Sequence, residues 1–173
     1  NMDNFIPQIA SGLGSYLLPG RDIVIIELRG LRYSSTFLNC EEVFQANIDM
    51  LDENLSYDDS MTRLSEALKK ARIRFENDNI ELSAYNNTET AKDIHMVMDA
   101  LGDSKFNIVG SSAGTLIAQN VIRENPERVR CAILDAGLPV EKTLLCNYVG
   151  FIVERLKIYF SECQQDSVCN QSF

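Results

Sequence analysis

Short runs of branched apolar residues recur along this chain and are separated by longer segments whose apolar positions have a different spacing. The runs are IVIIEL at 23–28, FNIV at 106–109 and VRCAIL at 129–134. An unbroken apolar run of this length predicts a strand that is buried on both faces. The sequence therefore predicts three buried strands, and within the last of them Cys131 is expected to be a small buried residue.

The segments between the runs have helical spacing. The polar start YDDS precedes a first helix predicted at about 59–77, and Thr88 and Thr90 precede a second helix that ends at Gly102. The apolar positions that define the two helices are Met61, Leu64, Leu68, Ala71 and Phe75 in the first, and Ala91, Ile94, Met98 and Leu101 in the second. Steps of three and four residues predict one buried face on each helix.

A third helix is predicted at 113–124, and a fourth at 142–161, where the residues are apolar around much of the circumference. Strands that alternate with helices in this way pair in parallel through right-handed crossovers. The predicted fold class is therefore α/β, with an open parallel sheet and flanking helices. Because the alternation stops at Pro139, we expect a core at 1–140 and the beginning of a second structural unit at 141–173.

Composition narrows the classes of partner and cofactor. The 173 residues include 25 acidic and 16 basic ones, and the net charge of −9 disfavours nucleic acid and anionic membrane surfaces as partners. We expect no transmembrane helix and no signal peptide, because no apolar stretch is long enough and no basic segment opens the chain. One histidine and five cysteines without paired spacing predict no metal site and no cofactor.

Two of the cysteines, Cys163 and Cys169, lie in the polar segment SECQQDSVCNQ with five residues between them. This separation suits a local disulfide if the compartment is oxidising. Two free thiols are the alternative, and the spacing alone does not decide between them.

The segment GSSAG fits the pattern G-x-S-x-G and lies directly between the strand FNIV and the helix TLIAQNVIREN. A strand that turns straight into a helix forces one residue into a strained backbone conformation. Small neighbours make such a turn feasible, and we expect a side chain at Gly110 or Gly114 to collide with adjacent backbone. The context therefore predicts a nucleophile elbow.

Ser112 is the predicted nucleophile, because the bend would expose its hydroxyl at the carboxyl end of the sheet, where α/β proteins bind ligands. Ser111 occupies the variable position of the pattern. The N–H of Ala113, at the start of the helix, would point to a developing oxyanion. The alternative is a glycine-rich turn that only packs tightly or binds a phosphate, although a phosphate loop usually has more glycines or a lysine.

The single histidine, His95, is a poor candidate for the general base. It lies on the second predicted helix, at the edge of the apolar stripe, and is expected to be half-buried and structural. In hydrolases with this elbow, the acid and the histidine follow the serine in chain order. No histidine follows Ser112.

Segments that cover nearly the whole chain resemble α/β-hydrolases of the proline iminopeptidase and tripeptidyl aminopeptidase-like group. These segments are RDIVIIELRGLRYS, TFLNCEEV, LSAYNNTETAKDIHMVMDALG, FNIVGSSAGTLIAQNVIRENPERVRCAILDAGLP and FSECQQDSVCNQSF. The resemblance implies a partial α/β-hydrolase fold with Ser112 as nucleophile, Ala113 as oxyanion donor and a helical cap beginning near residue 140. It also implies a Cys163–Cys169 disulfide and hence a secreted or periplasmic location, with the cytoplasm as the alternative.

The departures from the group limit what the chain can do alone. The group's glycine-rich segment, which supplies a second oxyanion donor, would precede residue 1, and its acid and histidine would lie beyond Phe173. Cys40 matches a group cysteine whose partner aligns with Ala71, so we expect Cys40 to be unpaired. The resemblance implies an aminopeptidase that acts through an acyl-enzyme on Ser112, and these 173 residues alone are expected to be inactive.

Two alternatives to the aminopeptidase stay open at this point. The first is a carboxylesterase-type hydrolase of small esters. The second is a non-catalytic, hydrolase-like protein that binds a partner through the apolar helix at 142–161. The expected ligand is a peptide or a small ester, and the sequence predicts no oligomeric state.

Overall fold

The structure is a computed structural model that describes residues 6–7, 12, 20–141 and 144–172, without the side chains of 144–147. The elements in chain order are α1 (Glu41–Asp49), α2 (Tyr57–Asn77), α3 (Asn87–Ala100), β1 (Phe106–Ser111), α4 (Ala113–Glu124), β2 (Val129–Asp135), α5 (Leu144–Gln165) and α6 (Ser167–Ser172). Single 3-10 turns lie at Leu82–Ala84 and Pro126–Arg128.

The chain divides into two compact units, Asn1–Ile94 and His95–Phe173, and the boundary falls within α3. Within each of these units, the residues have more contacts with one another than with the other unit. The predicted separation of a hydrolase core at 1–140 from a cap that begins at 141 is a different distinction, and it stays a prediction.

In the first unit, α1 packs against α2. The Ser56 hydroxyl caps α2 by accepting a hydrogen bond of 3.1 Å from the Asp59 N–H. The helix predicted at about 59–77 is confirmed, but its buried face is formed by Ala67, Ala71 and Phe75. Met61 and Leu68 are exposed, whereas Ala67, one position before Leu68, is buried.

The predicted strand at 23–28 is wrong. These residues form no ladder, and Ile23 and Val24 are exposed rather than buried. A strand requires a neighbour for its backbone N–H and C=O groups. In the described part of the first unit, the pairing is limited to an isolated bridge between Gly30 and Phe37.

In the second unit, β1 and β2 form a two-stranded parallel sheet, with α4 as the crossover that packs against both strands. The strands predicted at 106–109 and 129–134 are therefore confirmed. The register places Ser111 opposite Asp135, so both strands end at the same edge.

Burial of both strands on two faces was expected, and this expectation is wrong. Burial alternates along β1, and β2 is exposed after the half-buried Val129. Cys131, which was expected to be buried, is therefore exposed, since in the described residues helix α4 packs against the sheet and no further strand extends it. Its thiol is free. Cys40 is also unpaired.

Helix α4 matches its predicted bounds, whereas α3 begins at Asn87, so Thr88 and Thr90 lie within it and do not precede it. Ala91, Ile94 and Met98 are buried, whereas Leu101 is exposed because α3 has already ended. Gly102 has a φ of +82°, which permits the sharp stop, and the next N–H, from Asp103, bonds the Met98 carbonyl at 2.9 Å.

Helix α5 is confirmed within the described residues and continues to Gln165, whereas residues 142–143 of the predicted span lie outside the description. Most of its large apolar side chains are exposed. A disulfide joins Cys163, near its end, to Cys169 on α6. None of the helices in the described residues combines the length and the apolarity needed to cross a membrane.

Candidate active site

The link between β1 and α4 is a single residue, Ser112, in a strained conformation. Its φ is +51° and its ψ is −122°, a combination that residues other than glycine rarely adopt. The predicted sharp bend from strand to helix is therefore present. Ser112 is exposed, and although it occupies the N-cap position of α4, its hydroxyl makes no cap hydrogen bond. The geometry leaves this hydroxyl available for chemistry.

The two glycines of the pattern contribute differently to the bend. A Cβ on Gly110 would lie 2.5 Å from the Gly114 carbonyl oxygen and 3.1 Å from the Ala118 Cβ. The expected collision at 110 is thus confirmed. The one expected at Gly114 is wrong, because a Cβ there would have no heavy atom within 4 Å. A side chain at Gly110 would therefore collide with the backbone of Gly114, whereas a side chain at Gly114 would point into open space.

Backbone and side-chain hydrogen bonds hold both peptide groups of Ser112. Its N–H donates to the Asp135 carbonyl at the end of β2, at 3.0 Å. Its carbonyl accepts two hydrogen bonds from Thr115, one from the N–H at 3.0 Å and one from the hydroxyl at 2.7 Å. The strained residue is therefore fixed from both sides, which pre-organises the direction of its side chain.

Ser111 differs from Ser112 in its contacts. The Ser111 hydroxyl donates to a carboxylate oxygen of Asp135 at 3.2 Å. Both residues are exposed at the end of the sheet. The structure thus places a carboxylate next to the bend, which the sequence had not singled out, although Asp135 directly follows the apolar run of β2.

Ala113 is the first residue of α4. The first N–H groups of a helix have no acceptor within the helix, and the helix dipole makes this end favourable for negative charge. The Ala113 N–H therefore belongs to the end of α4 that favours negative charge. Its role as an oxyanion donor stays a prediction.

His95 was expected to be half-buried, but it is buried and engaged elsewhere. Its Nε2 donates to the Val121 carbonyl at 3.0 Å, and its ring packs at a tilt against Phe106, with 5.6 Å between the centroids. Val121 lies nine residues beyond Ser112 along α4, which is about 13 Å along the axis. His95 is thus fixed in the core toward the far end of α4, as expected of a structural histidine. In the described part of the chain, its Nδ1 has no partner.

The described residues contain no cluster of three side chains able to hold a metal ion. The chemistry available at the bend is that of a serine hydroxyl, a helix N-terminus and a nearby carboxylate. Such a set suits nucleophilic attack on an acyl carbon.

Comparison with known proteins agrees with this geometry. A family model described as "alpha/beta hydrolase fold" matches residues 1–153, which is most of the chain. The chain belongs to the alpha/beta hydrolase fold family. The parallel strands, the crossover helix and the bend at Ser112 are therefore part of a partial α/β-hydrolase fold.

Relatives within the family are similar over part of the chain. The proteins called serine protease Hip1 from Mycobacterium bovis and from two strains of Mycobacterium tuberculosis are each 32% identical over 93 residues. The matched segment is 51% of this chain and 18% of each relative. The chain thus spans a small part of the length of these relatives. No solved structure matches the chain.

Proposed function

We propose that this chain carries the nucleophile of a serine hydrolase, and that the nucleophile is Ser112. The observation that supports the proposal most strongly is the φ of +51° at a serine whose hydroxyl does not cap the helix that it begins. Serine is a favoured N-cap residue because its hydroxyl normally makes that bond. A strained backbone that gives up this bond is typical of a functional position.

In the proposed reaction, a general base takes the proton of the Ser112 hydroxyl as its Oγ attacks the acyl carbon of the substrate. The protonated base then gives this proton to the leaving group, which departs from the tetrahedral intermediate. The Ala113 N–H stabilises the oxyanion of that intermediate, supported by the dipole of α4. Water then hydrolyses the acyl-enzyme. Gly110 keeps the bend tight enough for the hydroxyl and this N–H to face the same carbonyl group.

The general base has to be a histidine other than His95. That ring is buried, and its Nε2 is bonded to the Val121 carbonyl. Since the sequence contains one histidine, we expect the 173 residues alone to hydrolyse substrates very slowly. Loss of a triad base lowers rates by several orders of magnitude. A histidine and a second oxyanion donor from outside these residues would complete the site.

The proposed substrates are peptides with a free N-terminus, from which the enzyme releases N-terminal residues. Support comes from the resemblance to the aminopeptidase group and from similarity to proteins named as a serine protease. Small esters are the competing substrate class, because the same nucleophile and oxyanion donor serve both reactions.

We also propose a secreted or periplasmic location. The Cys163–Cys169 disulfide supports it, because such bonds persist in oxidising compartments. Recovery of the native protein with both thiols free would favour the cytoplasm instead.

Hydrolysis assays on the complete gene product test the proposed function. The substrates are an alanine p-nitroanilide with a free amino group, the same compound N-acetylated, and p-nitrophenyl acetate. We expect the free amino compound to have the highest kcat/KM, and Ser112→Ala to lower it by about 1,000-fold or more. Ser111→Ala is the matched control and should retain activity. Equal activity in wild type and Ser112→Ala would reject the proposal.

A non-catalytic binding protein is the second candidate, and the exposed apolar residues of α5 favour it. In that case, the bend is only scaffolding. The same assays separate the two candidates, since a binding protein would hydrolyse none of the three substrates in its complete form.

A further inference from the structure

Thr115 is a fully buried polar residue with a hydroxyl that connects two separate segments. Its relative exposure is 0%. The hydroxyl donates to the Ser112 carbonyl at 2.7 Å and accepts a hydrogen bond of 2.9 Å from the Leu138 N–H. One side chain on α4 therefore holds both the strained residue before the helix and the segment that follows β2.

A second side chain of α4 strengthens the same connection. The Gln119 amide donates to the Leu138 carbonyl at 2.6 Å, so both peptide groups of Leu138 are bonded to the helix. The segment held in this way begins at Ala136, which has a φ of +52°. A strained residue persists only when its surroundings fix it, and these bonds supply part of that constraint.

We propose that Thr115 is a positioning residue for the reaction at Ser112. Its hydroxyl locks the carbonyl of the nucleophile to the loop at 136–138, and so keeps the Ser112 side chain and this loop in one fixed arrangement. The proposal rests on the proposed function for the reaction itself. The coupling between the bend and the loop stands independently of it.

The hydroxyl is needed because it both donates and accepts. Valine has the same shape without the hydroxyl, so Thr115→Val would remove the donor to Ser112 and leave the Leu138 N–H without its acceptor. Serine keeps the hydroxyl and loses only a methyl group. Thr90 offers a matched control, since it is also buried and, among the described residues, its hydroxyl bonds the Asn86 carbonyl one turn earlier and no second segment.

Two measurements on the complete gene product test the proposal. The first is the amide hydrogen exchange rate at Leu138, which needs no catalysis. The second is the rate at which a fluorophosphonate forms an adduct on Ser112. In Thr115→Val we expect faster exchange at Leu138. We also expect the adduct rate to fall by about tenfold or more, since small misplacements of reacting groups have effects of this size. Thr115→Ser should restore both values, and Thr90→Val should change neither.

Three outcomes would overturn the proposal: unchanged exchange at Leu138 in Thr115→Val, an adduct rate equal to that of Thr90→Val, or no recovery in Thr115→Ser. If Thr115→Val does not fold, Thr115→Cys replaces it, because a thiol has a similar volume and forms weaker hydrogen bonds. In that variant, amide exchange at Leu138 should be faster than in wild type, and the adduct on Ser112 should form more slowly. A wild-type protein that forms no adduct would count against the proposed function, and the exchange rate would then decide the coupling alone.

Discussion

Two apolar runs of this chain, IVIIEL at 23–28 and FNIV at 106–109, are each followed by a turn that contains glycine, and they have different structures. The second run is a strand because β2 lies beside it and pairs with its backbone in a parallel ladder. The first run has no such neighbour in the described residues and forms no ladder. The comparison teaches that an apolar run indicates a strand only where the chain also supplies a partner for its backbone.

The turns after the two runs are also held by different forces. After the first, the Arg29 guanidinium forms a two-pronged ion pair with Asp93, at 2.6 and 2.7 Å, and donates to the carbonyls of Ala84 and Glu89. The carboxylate of Asp93 raises the pKa of Arg29 through this hydrogen bond. After the second, uncharged backbone and hydroxyl groups fix Ser112. An ion pair between residues far apart in sequence holds the first turn. Steric fit and neutral hydrogen bonds hold the second.

Adding a methyl group at the second turn should have the largest effect on stability. In Gly110→Ala the new Cβ would meet the Gly114 backbone, and overpacking of this kind destabilises by about 3 kcal/mol. In the matched variant, Gly114→Ala, the new Cβ points into open space, and the helix should be unchanged or gain up to about 1 kcal/mol. Urea unfolding followed by circular dichroism measures both. Equal stability of the two variants would contradict the close approach at the bend.

Removing the charge at the first turn should have an intermediate effect. Arg29→Ala deletes a half-buried guanidinium with four hydrogen bonds, and we expect a loss of about 1–2 kcal/mol. The control is Arg63→Ala, because Arg63 also forms a two-pronged pair, with Glu53, but both side chains are more exposed. We expect it to lose clearly less stability than Arg29→Ala in the same urea titration, because solvent screens an exposed pair. A larger loss in Arg63→Ala than in Arg29→Ala would show that burial does not set the strength of these pairs.

The smallest effect should be a dependence of stability on pH within the first unit. The Arg74 guanidinium lowers the pKa of Glu42 from 4.5 to about 2 through its hydrogen bonds. Because the carboxylate is favoured in the folded state, this contribution is complete above pH 4.5 and is lost as the pH falls toward 2. Glu42→Gln should therefore lose less stability than wild type between pH 6 and pH 3.

Thermal unfolding at the two pH values measures this difference. Glu66→Gln serves as the control, since Glu66 lies on the exposed side of α2 and forms no ion pair among the described residues. Its pH dependence should match that of wild type. The same acid sensitivity in Glu42→Gln as in wild type would exclude a role for the Arg74 pair.

The features that the sequence predicted well are local ones. Helices α2, α3 and α4 begin and end near the predicted residues, because caps, spacing and the Gly102 stop act within a few residues. The bend at Ser112 was predictable for the same reason, as the small residues and the change of period lie within the pattern itself.

The features that the sequence could not predict depend on contacts between distant residues. The motif predicted the restriction at Gly110 but not the open space at Gly114, because it does not reveal which of the two glycines directs its Cβ position at the other. Thr115 and Asp135 reach the bend from positions that resemble an ordinary helix residue and a strand end. The sequence signals that could have found them are a hydroxyl on an apolar helix face and an acid directly after an apolar run.

The identity of the residue that reacts is the most direct test of the account. The complete gene product is treated with a fluorophosphonate, digested, and the modified serine is located by tandem mass spectrometry. The account predicts an adduct on Ser112, with Ser111 unmodified, and none in Ser112→Ala. An adduct on Ser111, or an intact protein with no adduct at either serine, would contradict it.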